Sequence, residues 1–336
     1  MALRGGVPLV AGVAVLAVLA WWFGIGGVIA ALRAASPAGL CAYLALSVAV
    51  LALQAGRWRL MAVAVGAPAD FGRVVAARLA GDGVASLLPL ARIAGDPLRA
   101  VLARRGEVRL SSASAGVAID RLLELIGNML AVTAYVAVFS AAAVGATSPR
   151  TSLAIGGAMF VLLALLASLI LRFARGDRPL APLYGSRARA WAGQHARWLD
   201  GLRQVEDHLV EFFRAHRVTF LAGLGLTVLI ELVVVLQYRA LLGAFGVRLD
   251  LPILLMVLLG GGVARAVPTP GALGSLEAVQ VLAVGATTGN ADLGFVVGII
   301  MRLHETLLVV AGLIALSMLG FSPTRLPTAG RQVPAP

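Results

Sequence analysis

Six apolar stretches, residues 7–32, 37–55, 111–146, 152–171, 218–242 and 293–319, are each long enough to cross the roughly 30 Å hydrocarbon core of a bilayer as a helix. A soluble core has no use for so many separate runs of that length, so the chain must be an all-α, polytopic membrane bundle. Only 13% of its residues are charged, well under the roughly 25% typical of soluble domains, and its mean hydropathy is +0.93. The first stretch is too long for the apolar part of a signal peptide and lacks a convincing cleavage site, so it reads as a span. Residues 1–321 form one integral membrane domain, and residues 322–336 read as a disordered, Pro-rich C-terminal tail.

The loop 172–217 sets the expected orientation. It carries nine Arg against five acids, which marks a cytoplasmic segment. Four crossings precede it, so the N-terminus is expected on the same side, and Arg57, Arg59, Arg99, Arg104, Arg105 and Arg109 then also fall inside. A bacterial cytoplasmic membrane, with both termini cytoplasmic, fits this pattern. Within the loop, Trp191, Trp198, Leu202, Val205, Leu209 and Phe212 share one helix face. That face suits the inner leaflet, the rest of the protein, or a second copy in a homodimer.

All 28 basic residues are Arg, and the net charge is +12. Arginine binds phosphate bidentately, but a GC-rich genome explains the same bias together with the Ala, Gly, Val and Leu excess. The Arg residues cluster beside spans, so no nucleic-acid partner is indicated. Cys41 stands alone, which excludes disulfides and Cys-rich metal sites within the chain.

Two interrupted segments align without a gap at an offset of 179: "LAGDGVASLLPLARIAG" (79–95) and "LLGGGVARAVPTPGALG" (258–274). Upstream, Gln54 and Arg57 have apparent counterparts in Gln237 and Arg239. Downstream, Arg121-x-x-Glu124 corresponds to Arg302-x-x-Glu305. Each half, about 37–146 and about 218–319, therefore reads as a span, a broken segment and a span carrying Arg-x-x-Glu. The expected topology inverts one half relative to the other, a design that places a transporter's site at the repeat interface. About six full spans plus two re-entrant helical hairpins are expected.

Irregular backbone at membrane depth persists only where protein or a wet cavity covers it. Pro268 and Pro270 lack N–H donors, and Gly271 and Gly274 permit a turn, so this segment is expected to reverse direction before a short helix. Glu277 would lie in that helix's first turn. In half one, Asp96 is placed to cap a helix with Pro97 at its first position. Capping alone is one reading of both acids; a charged pathway is the other. Each Arg-x-x-Glu pair shares a helix face, and Asp120, Glu124 and Asn128 extend the first into a polar stripe. It serves transport or locks helix packing. Glu231 is a lone acid within a span. His304 suits a proton relay or, more simply, helix packing.

No phosphate-binding loop, zinc-protease motif or nucleophile elbow is present, so no enzyme, cofactor or metal site is expected. The segments "LLPLARIAGDPLRAVLARRG", "RLLELIG" and "VPTPGALGSLEA…MRLHETLLVVAGL" resemble the transmembrane region of lysylphosphatidylglycerol synthases, the flippase-like family, and its hopanoid-biosynthesis-associated branch. The family has Gly-Glu where this chain has Gly95-Asp96. The resemblance implies two re-entrant helix pairs and a domain that moves modified lipid between leaflets. The soluble aminoacyltransferase domain of those synthases is not expected here, since the chain ends at Pro336.

A flippase-like transporter is thus the leading expectation, with a membrane lipid as substrate. Asp96, Glu277, Glu124 and Glu305 would line a central polar cavity, and Arg92, Arg99, Arg121, Arg265 and Arg302 would attract phosphate. With no nucleotide site, an ion or lipid gradient would supply the drive. The alternatives are a non-transporting partner of a lipid- or glycan-modifying enzyme and an ion-coupled transporter of small solutes.

Overall fold

The computed structural model describes residues 29, 33, 35–87, 91–104, 108–142, 149–185, 197–266 and 275–320. These residues form helices joined by turns, with no strand among them. Half one contains α1 (Pro37–Ala64), α2 (Phe71–Leu87), α3 (Ala91–Ala103) and α4 (Leu110–Ala142). Next come α5 (Pro149–Arg175), the short α6 (Ala181–Tyr184) and α7 (Arg197–Ala215). Half two repeats the pattern with α8 (Arg217–Ala244), α9 (Leu251–Ala266), α10 (Ser275–Thr288) and α11 (Ala291–Met318).

Five helices are long and apolar enough to cross a membrane: α1, α4, α8, α11 and the Gly156–Arg175 part of α5. The expected first span, 7–32, and the tail lie outside the described residues. The remaining apolar arms are shorter. At 1.5 Å per residue, α3 with 13 residues and α10 with 14 reach only about 20 Å, short of a hydrocarbon core. Each packs against its preceding arm, α2 or α9, so both pairs have the dimensions of re-entrant hairpins.

Contacts between α1 and α8 fix the relation of the halves. Ser36 N donates to Ala244 O at 2.7 Å, so the start of α1 meets the end of α8 and the two run antiparallel. Further along, Gln237 Nε2 donates to Ser47 Oγ at 2.7 Å, and Arg57 Nη1 donates to Thr227 Oγ1 at 3.0 Å. Adding 180 to Ser47 and Arg57 gives Thr227 and Gln237, so each bond is the other's image under exchange of the halves. The two receiving hydroxyls also bond back alike, Ser47 to Tyr43 O and Thr227 to Gly223 O. Both helices end in a glycine with positive φ, Gly66 at 72° and Gly246 at 74°, a conformation that favours glycine at a helix C-terminus. The counterpart of Arg57 is therefore Gln237; the sequence pairing of Arg57 with Arg239 and Gln54 with Gln237 is out of register, because local identity competes poorly with helix ends as a marker of register.

The halves interlock. The last helix of each, α4 or α11, packs against its own second hairpin arm and against the first arm of the other half's hairpin. Inside the first hairpin, α2 and α3 cross at Gly81 and Gly95, where an added Cβ on Gly95 would sit 2.6 Å from Gly81 O. Between the halves, α7 buries Leu199, Leu209, Phe212 and Phe213, and it packs on α4 and α5. The apolar face read for residues 191–212 thus rests largely on the protein itself, although Trp191 and the Trp198 side chain lie outside the described residues.

Candidate functional site

The Arg-x-x-Glu helices and the hairpins meet in two matching constructions. In half one, Arg121 on α4 grips Asp96 on α3 side-on, with Nε to Oδ2 at 2.9 Å and Nη2 to Oδ1 at 2.5 Å. Its remaining nitrogen, Nη1, donates to Glu124 Oε2 at 2.8 Å, one turn along the same helix. In half two, Arg302 on α11 grips Glu277 on α10 with Nε at 2.7 Å and Nη2 at 3.1 Å, and its Nη1 reaches Glu305 Oε2 at 3.2 Å. The same three guanidinium nitrogens serve the same three roles in both halves. The rigid, planar fork of arginine suits such bidentate capture of a carboxylate.

These two clasps put Asp96, Arg121, Glu124, Glu277, Arg302 and Glu305 where the sequence reading wanted them, each hairpin acid on its own half's Arg-x-x-Glu pair. The offset between equivalent residues is 181 here. Glu277 does lie in the first turn of α10. Asp96 does not cap α3: that helix already begins at Ala91 and runs through Pro97. Starting the helix five residues earlier places Asp96 within it, on a face directed at Arg121. Pro268, Pro270, Gly271 and Gly274 lie outside the described residues. Arg92 and Arg265 belong to α3 and α9, but their side chains are likewise outside the description.

Half one adds a second centre. Asp120, fully buried, accepts from Arg57 Nε at 2.8 Å, Arg78 Nη1 at 3.1 Å and Arg99 Nη2 at 2.9 Å. Arg99 also donates to Asp96 Oδ1 at 3.2 Å and lies over the Trp58 ring, 4.5 Å from its centroid. Arg78 approaches Asp82 at 3.5 Å and Glu124 at 3.8 Å. Four arginines and four carboxylates thus form one continuous network. Burying an unpaired charge costs several kcal/mol, whereas such pairing compensates each ion. Arg99, expected to attract phosphate, is sealed at 0% exposure by these partners. The members that remain partly open are Asp82, Asp96, Arg121 and Glu124.

Arg57, Arg78 and Asp120 were absent from the expected site. Their one sequence signal is an Arg or Asp set among apolar residues of a helix, as in Arg57-Trp58 and Ile119-Asp120-Arg121. Their partnerships span 42 and 63 residues, beyond any local spacing rule. In half two the positions of Asp120, Arg99 and Trp58 are taken by Met301, Gln280 and Tyr238, and there the Tyr238 hydroxyl donates to Gln280 Oε1. His304 Nδ1 lies 3.1 Å from the Tyr43 hydroxyl, a contact between α11 and α1. Cavities of about 600 and 450 Å³ lie along α7, away from both clasps and lined by Arg178, Asp207 and Arg214, and by Arg109, Ser112 and His208.

Antiparallel halves, apolar spans and hairpins pinned by paired charges define a polytopic α-helical membrane protein with the inverted-repeat build common among transporters. The chain belongs to the family of the lysylphosphatidylglycerol synthase TM region, whose model matches residues 9–312. That membership points to a membrane lipid-related, flippase-like function. No curated protein and no solved structure matched the chain.

Proposed function

We propose that the protein moves a polar or charged lipid headgroup between bilayer leaflets at the interface of its two halves, while the acyl chains stay in the hydrocarbon. The observation that carries this reading is the pair of clasps, related by exchange of the halves. Ionisable side chains inside a membrane bundle are expensive to keep, and they commonly mark a substrate path. In each clasp a hairpin helix is tied to a spanning helix by exchangeable charge. A charged headgroup offers the same chemistry as either partner, so it can replace the carboxylate on the arginine or the arginine on the carboxylate. Replacing it frees the hairpin arm to shift against the span.

Inverted halves supply the rest. Whatever rearrangement opens one clasp toward one leaflet has its counterpart in the other half, toward the other leaflet. The arginine-rich loop 172–217 supports a cytoplasmic placement of that loop and of both termini in a bacterial cytoplasmic membrane.

The test is reconstitution. Purified protein, with its co-purifying lipid analysed, is placed in liposomes carrying a headgroup-labelled phospholipid, and leaflet exposure is followed with a membrane-impermeant quencher. Exchange faster than in protein-free liposomes is expected. An equal rate with folded protein would end this reading.

A further inference from the structure

Glu231 lies near the midpoint of α8, and its partner differs from those of the network acids. Asp82, Asp96, Asp120, Glu124, Glu277 and Glu305 each face an arginine. Glu231 instead accepts a hydrogen bond from the Tyr135 hydroxyl of α4, and among the described residues no cation lies within ion-pair distance of it. Its carboxyl faces α4, where a Cβ added to Gly127 would sit 3.8 Å from Glu231 Oε1.

Chemistry separates this pair from the clasps. An arginine is donor-only and always charged, so a carboxyl clasped by it has no satisfactory neutral state. A phenol both donates and accepts, so it can serve a carboxylate as donor and a carboxylic acid as acceptor. Glu231 can therefore gain or lose a proton without leaving Tyr135 unpaired.

The pair also has a route to the site. Thr227 is one turn before Glu231 on the same face of α8. Arg57 donates to Thr227 and to Asp120, and Asp120 holds Arg99, which reaches Asp96. The groups facing Glu231 are Arg57 from α1 and Tyr135 and Glu124 from α4. Among the described residues of α7 and α9, none is bonded to it.

We infer that Glu231 and Tyr135 form a proton-binding site at mid-membrane, and that Arg57 relays its protonation state to the half-one clasp. Ionised Glu231 draws Arg57 away from Asp120; protonated Glu231 releases it. The proton comes from water on one side and leaves to water on the other, with no covalent step. A proton gradient thereby biases the headgroup exchange proposed above, and to that extent the inference rests on that reading.

Two measurements separate the ideas. Infrared difference spectra of the reconstituted full chain, recorded between acidic and alkaline buffer, read carboxylic-acid C=O stretching directly. A band that is lost in Glu231→Gln, and shifted in Tyr135→Phe, is expected. Identical spectra for wild type and Glu231→Gln overturn the proton site, whether or not lipid moves. The second measurement is exchange of headgroup-labelled phospholipid under an imposed pH gradient. Wild type should respond to the gradient, and Glu231→Gln should keep exchange but lose the response. A retained response overturns the coupling. No exchange in wild type defeats the transport reading and the coupling built on it, and the infrared result then decides the proton site alone. Glu231→Asp, keeping an acid at the position, should keep a pH-dependent band, which guards against misreading a folding defect in Glu231→Gln; absence of that band in folded Glu231→Asp counts against the site.

Discussion

The two halves hold their hairpins with the same clasp but support it differently. Half two sets Arg302 and Glu277, nearly buried at 6% and 8% exposure, against the neutral neighbours Tyr238, Gln280 and Met301. Half one leaves Arg121 and Asp96 more open, at 22% and 24%, and backs them with Asp120 and three buried arginines. What the halves share is the clasp, so the clasp is the part that inverted symmetry ties to function. What differs is the scaffold, so half one's charge centre is a local specialisation. It also gives the half with the more open clasp a rigid electrostatic floor.

The largest expected effect breaks this difference. Asp120→Asn strands three buried guanidinium groups and should cost about 3–5 kcal/mol, seen as a steep loss of thermal stability in detergent. Met301→Leu at the matching position should cost under about 1.5 kcal/mol. A similar loss at both sites would erase the proposed asymmetry. Next, Arg302→Gln leaves Glu277 buried beside a neutral side chain and should cost about 3 kcal/mol. Arg121→Gln, in the more open clasp, should cost about 1–2 kcal/mol in the same melting assay. The reverse order would mean that burial does not set the strength of the clasps.

Third, a Cβ on Gly312 would fall against the Leu79 carbonyl, where α11 crosses α2. Gly312→Ala should therefore cost about 1–3 kcal/mol by overpacking. The matching position of α4 already holds Ala131, so the mirror-related crossing of α4 with α9 tolerates the larger residue. The smallest effect is at the exchange-related bonds between α1 and α8. Ser47→Ala removes the acceptor of Gln237 and should cost about 1 kcal/mol. Labelling sharpens the inversion itself. In a Cys41→Ala background, Arg104→Cys and Asp250→Cys should react from opposite sides of the membrane.

Much of this was legible in the sequence because it is written in local patterns. Apolar run length gives the spans, and Arg-x-x-Glu gives each clasp its arginine and its near carboxylate. Arg121 and Asp96, like Arg302 and Glu277, are 25 residues apart, close enough for a hairpin-plus-span pattern to suggest the meeting. Asp120 was visible as part of a polar stripe, but its arginines come from α1, α2 and α3, and only tertiary packing unites them. Tyr135 and Glu231 come together from two separate spans for the same reason. The offset failed by one or two residues because Ala- and Gly-rich helices match one another in several registers. Helix ends and hydrogen bonds discriminate where composition does not.

Headgroup exchange by clasp variants is the most direct measurement of the account. Glu277→Gln and Asp96→Asn, each shown to be folded by its melting transition, should expose labelled phospholipid no faster than protein-free liposomes. Arg178→Ala, which removes an exposed ion pair with Asp207 near α7, should exchange at the wild-type rate. Wild-type exchange by folded Glu277→Gln and Asp96→Asn would contradict a transport role for the clasps and leave them as devices that only hold the helices together.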